Sequence, residues 1–467
     1  MTQPKLAAVD TLETVEITPA EAAAAQTAGA VAAAADTVTA TESTALFADA
    51  DAYLPGAGLG AYALPDDIRL VFSHARGARL WDVDGREFID YVGGAGALIL
   101  GHAHPAVVQA AQAQLARGAH VFGSLTAPAI ALAKRLTRAI PCAEKIVYAT
   151  TGSEATAYAM RLARAFTGRD KILKFAGAYH GNHDYALVSA FPAPGDAVDA
   201  RADSAGQPAA TTSTMLVAPY NDLDAVQRIV AAHGRDIAAI IAEGVQRIIP
   251  ARPEFLHGLR KVCDANGILL ILDEVVTGFR LGPGGAQEWY GVAPDLATYG
   301  KVIGAGGPLS CIAGRAELIE QANPRRKGEP RYAYFNGTLH GNPVAAAATL
   351  ALLDELDAPE VYARLNRATE ELCRECQTVL DAHNLPARAC SAGSLWQIVF
   401  APAAPTSHAD LAAGAADNRR LDAALMKRGQ YVLPGVRRFV STAHSDADFD
   451  ATVRGLDAAC RDFVKSA

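Results

Sequence analysis

The chain is 467 residues long, too long for one small core, and its 51% hydrophobic and 20% charged content is an ordinary globular balance. A net charge of -8, with no block of basic residues interleaved with aromatics, argues against a nucleic-acid surface. No apolar run approaches the ~20 residues that span a bilayer as a helix, and seven cysteines at irregular spacing suit free thiols in a reducing compartment better than a disulfide framework.

Residues 1–45 are rich in Ala, Thr and Glu and lack the basic and apolar regions of a signal peptide. A disordered extension on a cytoplasmic protein is expected there, with a partner-binding tail as the alternative. The first clear element is Leu80 to Tyr91, two alternating runs around Asp84-Gly85 that predict a β-hairpin. Gly101-His-Ala-His-Pro105 then leads into an Ala- and Val-rich helix with the proline in its first turn. His102 and His104 have a spacing that could bind metal. Without a third ligand nearby they read as turn and capping residues, and no metal is expected.

From Lys145 to about Cys311, short apolar strands alternate with amphipathic helices. Ile146 to Ala149, Ile172 to Phe175, Ile237 to Ala242 and Ile268 to Leu272 are runs of the kind buried on both faces of a parallel sheet. Pro253 to Asn266 predicts a helix with Phe255, Leu256, Leu259, Val262 and Cys263 on one face, proline at its start and Gly267 just past its end. Repeated units of this kind predict an α/β fold with a mostly parallel sheet. Ala190 to Ser213 reads as a long mobile loop, a candidate lid. After Asn342 a helix through Leu353 and Leu356 leads into mixed helices and strands (Leu395 to Phe400, Tyr431 to Leu433, Phe439 to Ser441), a smaller α+β lobe completed by the early hairpin. Cys373 and Cys376 fall in a helix-like stretch, where their C-x-x-C spacing reads as packing.

Three segments carry candidate chemistry. Thr150-Thr-Gly152-Ser153-Glu154 joins a strand to a helix, and small residues there leave backbone N-H groups free for a phosphate, or simply cap the helix. Asp273-Glu274-Val275 leaves the carboxyl end of a buried strand, the edge where ligands of open α/β sheets bind. A buried acid there needs a positive partner, and Arg280 could make a structural ion pair with it. Finally, Lys301 stands between apolar residues and glycines, a setting in which a lysine loses its proton more readily and can form a Schiff base. The alternative is a loop lysine reaching solvent.

Together these segments, with WDVDGREFIDYV, GHAHP, TTGSEAT, GAYHG, DEVVTGFR, GAQEWYGVAPDLATYGKVIG and GTLHGNP in order from about residue 54 to 445, resemble the class III aminotransferases of the fold-type I pyridoxal-phosphate family, and among them the glutamate-1-semialdehyde aminomutases. The resemblance implies a large cofactor domain at residues 106–342, with a smaller α+β domain built from residues 46–105 and 343–467. It implies that Lys301 holds pyridoxal phosphate as a Schiff base and Asp273 keeps the pyridine nitrogen protonated, making the ring an electron sink. Lys301, released by substrate, would then carry a proton between the substrate Cα and the cofactor. Gly152 and Ser153 would bind the phosphate, Tyr179 and Val275 would pack on the two ring faces, and His180 adjoins the site. Thr338 is expected to reach the phosphate of a neighbouring subunit, which makes a homodimer.

The chain departs from the aminomutase pattern around the substrate. The arginine that follows Pro-Gly-Gly in aminomutases is missing from Pro55 to Tyr62, and Tyr431 to Ser441 lacks the family's Phe-Glu. Arg247, Arg437 and Arg438 are candidates to receive an acidic substrate group in a bidentate fork, or to make salt bridges or surface contacts. The missing arginine favours a transaminase with a separate amino donor and a keto or aldehyde acceptor. A glutamate-1-semialdehyde aminomutase or an epimerase would rearrange one substrate alone, and a non-catalytic binding protein would use the Ala-rich tail as its contact.

Overall fold

The computed structural model describes residues 42–465 apart from 63, 66, 194 and 197. Most of the N-terminal extension expected at residues 1–45 therefore lies outside the described residues. The described residues open with α1 (Glu42–Asp51), where the Ser43 N-H donates to Asp84 Oδ1.

The predicted hairpin forms. Strands β1 (Phe72–Arg76), β2 (Arg79–Asp82) and β3 (Glu87–Asp90) pair antiparallel in sequence. Helices α2 (Pro105–Leu115) and α3 (Ala127–Ala139) follow, each with proline in its first turn, where no intrahelical N-H is needed. His102 pairs with Asp90 at 2.8 Å and His104 is the residue before α2, so both serve local structure. No cluster of metal-ligating side chains occurs among the described residues.

The central sheet is built from β4 (Lys145–Ala149), β5 (Lys171–Phe175), β6 (Met215–Ala218), β7 (Ile237–Glu243), β8 (Leu269–Asp273), β9 (Leu296–Tyr299) and β10 (Ser310–Gly314). Its order is β4-β10-β9-β8-β7-β5-β6, all parallel except β10, which runs against both neighbours. Residues of β7 and β8 are buried throughout, as expected of strands covered on both faces. Helix α4 (Gly152–Thr167) packs on one face and α5 (Leu223–His233) and α6 (Pro253–Asn266) on the other. The α6 bounds agree with the predicted ones: Pro253 opens it, and Gly267 ends it at φ 58, a left-handed conformation that glycine adopts without strain. Its buried Phe255, Leu256 and Leu259 each contribute roughly 1.5–3 kcal/mol to holding it on the sheet.

Helices α7 (Pro343–Leu356) and α8 (Val361–Ala382) lead to a second antiparallel sheet of β11 (Arg388–Ala392), β12 (Leu395–Val399) and β14 (Arg438–Phe439). Strand β13 (Gln430–Tyr431) pairs in parallel with β3, which joins the chain's late segment to the early hairpin. Cys373 and Cys376 are buried on α8 as free thiols. The stretch read as a mobile lid is more tied down than expected: Val188 pairs with Ala202, Ser189 exchanges hydrogen bonds with Asp199 and Arg201, and Ala209–Thr212 is a helical turn. Its polar, aperiodic sequence hides these contacts because they run through backbone groups and one serine hydroxyl, which leave no side-chain period.

Candidate active site

Because β4, β5, β7, β8 and β9 run the same way, their carboxyl ends meet at one edge of the sheet. Ligands of open α/β sheets bind at such an edge. Five chain segments leave it: residues 150–153 after β4, 177–183 after β5, Glu243 at the end of β7, Asp273 at the end of β8, and Lys301 after β9. Register brings the last three close, since Asp273 lies opposite Glu243 on one side and Thr298 on the other.

Asp273 is 4% exposed, and its bonding partners are specific. Its Oδ2 lies 2.7 Å from His180 Nδ1, while Oδ1 accepts hydrogen bonds from the Val275 N-H and the Thr298 hydroxyl, each at 3.0 Å. Burial alone would push this carboxyl up. The His180 bond and charge and the other two donors outweigh burial and hold it below the usual carboxylate range. The partner that this buried acid finds is thus a histidine. Arg280 instead turns its guanidinium to Ser394, Val440 O and Gly96 O, with no part in an ion pair to Asp273.

Lys301 opens a short 3-10 turn after Gly300, with φ at 49, a conformation uncommon for a side-chain-bearing residue. Such backbone strain clusters at functional sites, where the surrounding fold imposes it. No hydrogen bond or ion pair to another described residue engages its amine. Burial, then the positive charge of Arg437, push the amine down to about 8, with Asp273 and Glu243 pulling the other way. A lysine in this state is readily available as a nucleophile.

At the start of α4, Thr151 caps the helix by accepting from the Glu154 N-H. The N-H groups of Gly152 and Ser153 are the first two of a 16-residue helix, have no carbonyl a turn behind them, and carry its positive end. A Cβ on Gly152 would come within 2.8 Å of Val275 Cγ1, so only glycine lets Val275 lie over this turn. Ser153 Oγ accepts from the Asn182 N-H, tying the turn to the loop that carries Tyr179 and His180. Tyr179 is 38% exposed, beside Phe191 with ring centroids 6.1 Å apart.

The arginine candidates part company here. Arg437 donates to the backbone carbonyls of Val245 and Arg247, and its guanidinium is pulled down by burial and up by Glu243, with Asp273 and Tyr62 also acting on it. It therefore shares the electrostatic surroundings of Lys301. Arg247, at φ 60, donates to Gly177 O and Ala190 O and lies over the rings of Tyr179 and Phe191, so its donors are engaged in holding loops. Arg438 is buried in an ion pair with Asp422 and lies 4.5 Å over the Trp396 ring, facing the core behind β12. Thr338 is exposed in the turn before α7, and that turn is tied to α4 by His340, 3.0 Å from Glu154 Oε1.

Two members of the site escaped the sequence reading as functional residues. Glu243 carries the same signal as Asp273, an acid at the end of an apolar strand. Tyr62 stands in the segment that lacks the arginine and acts on both Tyr179 and Arg437, although burial is the larger influence on each, raising Tyr179 and lowering Arg437. The assembled set fits pyridoxal phosphate: a helix end that leaves two N-H groups for its phosphate, a carboxylate held ionised for its ring nitrogen, and an unengaged, half-buried lysine for its aldehyde.

Comparison with known proteins agrees with this set. Residues 62–431 match the family described as aminotransferase class-III. A glutamate-1-semialdehyde 2,1-aminomutase of Roseiflexus castenholzii is 41% identical over 436 residues, covering 91% of this chain and 98% of that protein. Among solved structures, an omega-transaminase from Sphaerobacter thermophilus matches with a TM-score of 0.85 at 34% identity, covering 91% of this chain and 98% of that one. A transaminase with PLP bound matches with a TM-score of 0.83 at 30% identity and the same coverage.

Proposed function

The chain belongs to the class-III aminotransferases, enzymes that depend on pyridoxal phosphate, and we propose that it moves an amino group from an amine or amino-acid donor to a separate keto or aldehyde acceptor through Lys301. The observation that carries this reading is the meeting of a lysine amine lowered to about 8 with a histidine-paired aspartate at one sheet edge. When bound, the cofactor supplies an electron sink for the charge left as a substrate Cα loses its proton.

The chain's own residues do the rest. Gly152 and Ser153 would hold the phosphate through the first N-H groups of α4, with Val275 and Tyr179 packed on either side of the ring. Asp273 would accept from the ring nitrogen and, kept ionised by His180, hold a proton there. Lys301 would anchor the cofactor and, once displaced by the substrate amine, would be the base that takes the Cα proton and returns it to the cofactor carbon on the far side of the amine nitrogen. Arg437 would receive a substrate carboxylate. Its backbone bonds fix its position, and a carboxylate would relieve the repulsion between Arg437 and Lys301.

We also read the enzyme as a homodimer in which Thr338 completes the neighbouring phosphate site. Support comes from the exposure of Thr338 and of Tyr334 and Leu339 beside it, on a turn fastened to α4. A fully active monomer in sedimentation would contradict this. The domain division at residues 46–105, 106–342 and 343–467 is likewise our reading, supported by the pairing of β13 with β3.

The 41% identity to an aminomutase favours a second reading, in which one substrate is rearranged without an acceptor. Mixing holoenzyme with single amines and amino acids, without acceptor, separates the two. A transaminase stops as the aminated cofactor and releases one equivalent of carbonyl product, and Arg437→Met slows only carboxylate-bearing donors, by about 10- to 100-fold. Continuous turnover of one compound without acceptor would establish the rearrangement instead.

A further inference from the structure

The loop that carries Tyr179 and His180 is fastened from beneath by a lysine. Lys174 lies in the middle of β5, 0% exposed, between the core residues Leu173 and Phe175. Its Nζ donates to the backbone carbonyls of Ala178 at 3.2 Å, Ala186 at 2.8 Å, and Val188. All three acceptors belong to the one chain segment between residues 176 and 190, and Tyr179 and His180 follow directly on the first.

We infer that Lys174 is a positioning residue of the cofactor site, whose ammonium group clamps this segment to the sheet and so sets where Tyr179 and His180 stand. The inference rests on the reading that those two residues serve the cofactor.

Three physical arguments support it. First, taking an ammonium out of water is costly, so an apolar side chain would fit this place better unless the bonds are needed. Burial pushes the Lys174 amine down to about 7, against the pull of Asp203 and Glu243, so the full three-bond clamp is strongest below that pH. Second, the stoichiometry is matched: an ammonium has three N-H donors and meets three carbonyls, where a neutral amine would leave one carbonyl unpaired. Third, the segment cannot be expected to hold its shape unaided. It turns through left-handed conformations at Gly177, Gly181 and Ser189, and the last is a strained position for a side-chain-bearing residue.

A second cation adds to the clamp. Arg247 donates to Gly177 O and Ala190 O, so the two charges grip the segment at both ends and in the middle. Between these grips, the segment touches the site at three points: the His180 ring on Asp273, the Tyr179 N-H toward Glu243 Oε2 at 3.4 Å, and the Asn182 N-H on Ser153 Oγ. A shift of the segment would therefore be felt by the ring, the ring nitrogen's partner and the phosphate turn together.

The test compares native holoenzyme with Lys174→Met, and with Lys174→Gln, which keeps two N-H donors and serves where the methionine variant does not fold. Three quantities are read: the visible circular dichroism of the bound cofactor, its dissociation constant, and the melting temperature of the cofactor-free protein. Positioning predicts a changed dichroic band and cofactor affinity weakened by roughly 10- to 100-fold, the scale of changes in groups that support a binding site. A lower melting temperature with band and affinity unchanged would reduce Lys174 to a structural role and overturn the inference. Tyr179→Ala and His180→Asn are the controls. If they leave band and affinity at native values, the cofactor reading of that loop fails, and the inference falls with it for that separate reason.

Discussion

At the scale of single residues, the site depends on what each charge has for company. Asp273 and Glu274 are adjacent buried acids with opposite outcomes. Asp273 has a histidine beside it and is held low, whereas Glu274 is pushed up by burial that its hydrogen bonds from Thr277, Ala286 and Gln287 do not offset. Only the first is equipped to face a protonated ring nitrogen. Lys301 shows the corresponding effect on a base. Its amine at about 8, against an ordinary 10.5, leaves on the order of a hundredfold more neutral nucleophile at pH 7 than a solvent-exposed lysine. The sign is fixed by which form reacts: the neutral amine captures the aldehyde, so capture rises with pH. Cofactor uptake by the cofactor-free enzyme should increase with a midpoint near pH 8, followed by absorbance after stopped-flow mixing. A midpoint that stays near 10.5 would show that burial does not act on this amine as described.

At the scale of elements, the strand-helix units were legible because burial on both faces leaves continuous apolar runs, as at Ile237–Glu243, and because Pro253 and Gly267 mark the ends of α6. The antiparallel β10 was not singled out, since Ser310-Cys-Ile-Ala-Gly has no pattern that reveals strand direction. Asp273 and Lys301 could be read from their settings, but the segments that support them could not. Lys174 passed as part of an apolar run, although a lysine inside a buried strand is rare enough to have been a signal. Pairings such as His180 with Asp273 join residues far apart in sequence and leave no local trace. The loop after β5 also needs its glycines. At Gly181, with φ at 106, an added Cβ would stand 2.6 Å from Ser153 Cα. Gly181→Ala should destabilise the fold by about 1–3 kcal/mol and weaken cofactor binding by displacing Ser153. Thermal melting and cofactor titration check both, and native values in both would mean the loop can shift without cost.

At the scale of the whole molecule, the parallel strands bring the helix end at Gly152 and Ser153, the Asp273 carboxylate and the Lys301 amine to one edge from segments spread between residues 150 and 301. The late chain adds Arg437 to that edge and keeps Arg438 for its own core, although the two are neighbours in sequence. On the proposed reading, this division lets the cofactor residues keep their place while the substrate meets other groups: Tyr62 stands in the segment that lacks the arginine, and Arg437 comes from the late chain. The central claim is that this edge holds pyridoxal phosphate on Lys301. Borohydride reduction of the holoenzyme, followed by digestion and mass spectrometry of the peptides, tests it most directly. The account predicts one phosphopyridoxyl group per chain, on Lys301, and none in Lys301→Ala. A reduced adduct on another lysine, or a full equivalent retained by Lys301→Ala, would contradict it.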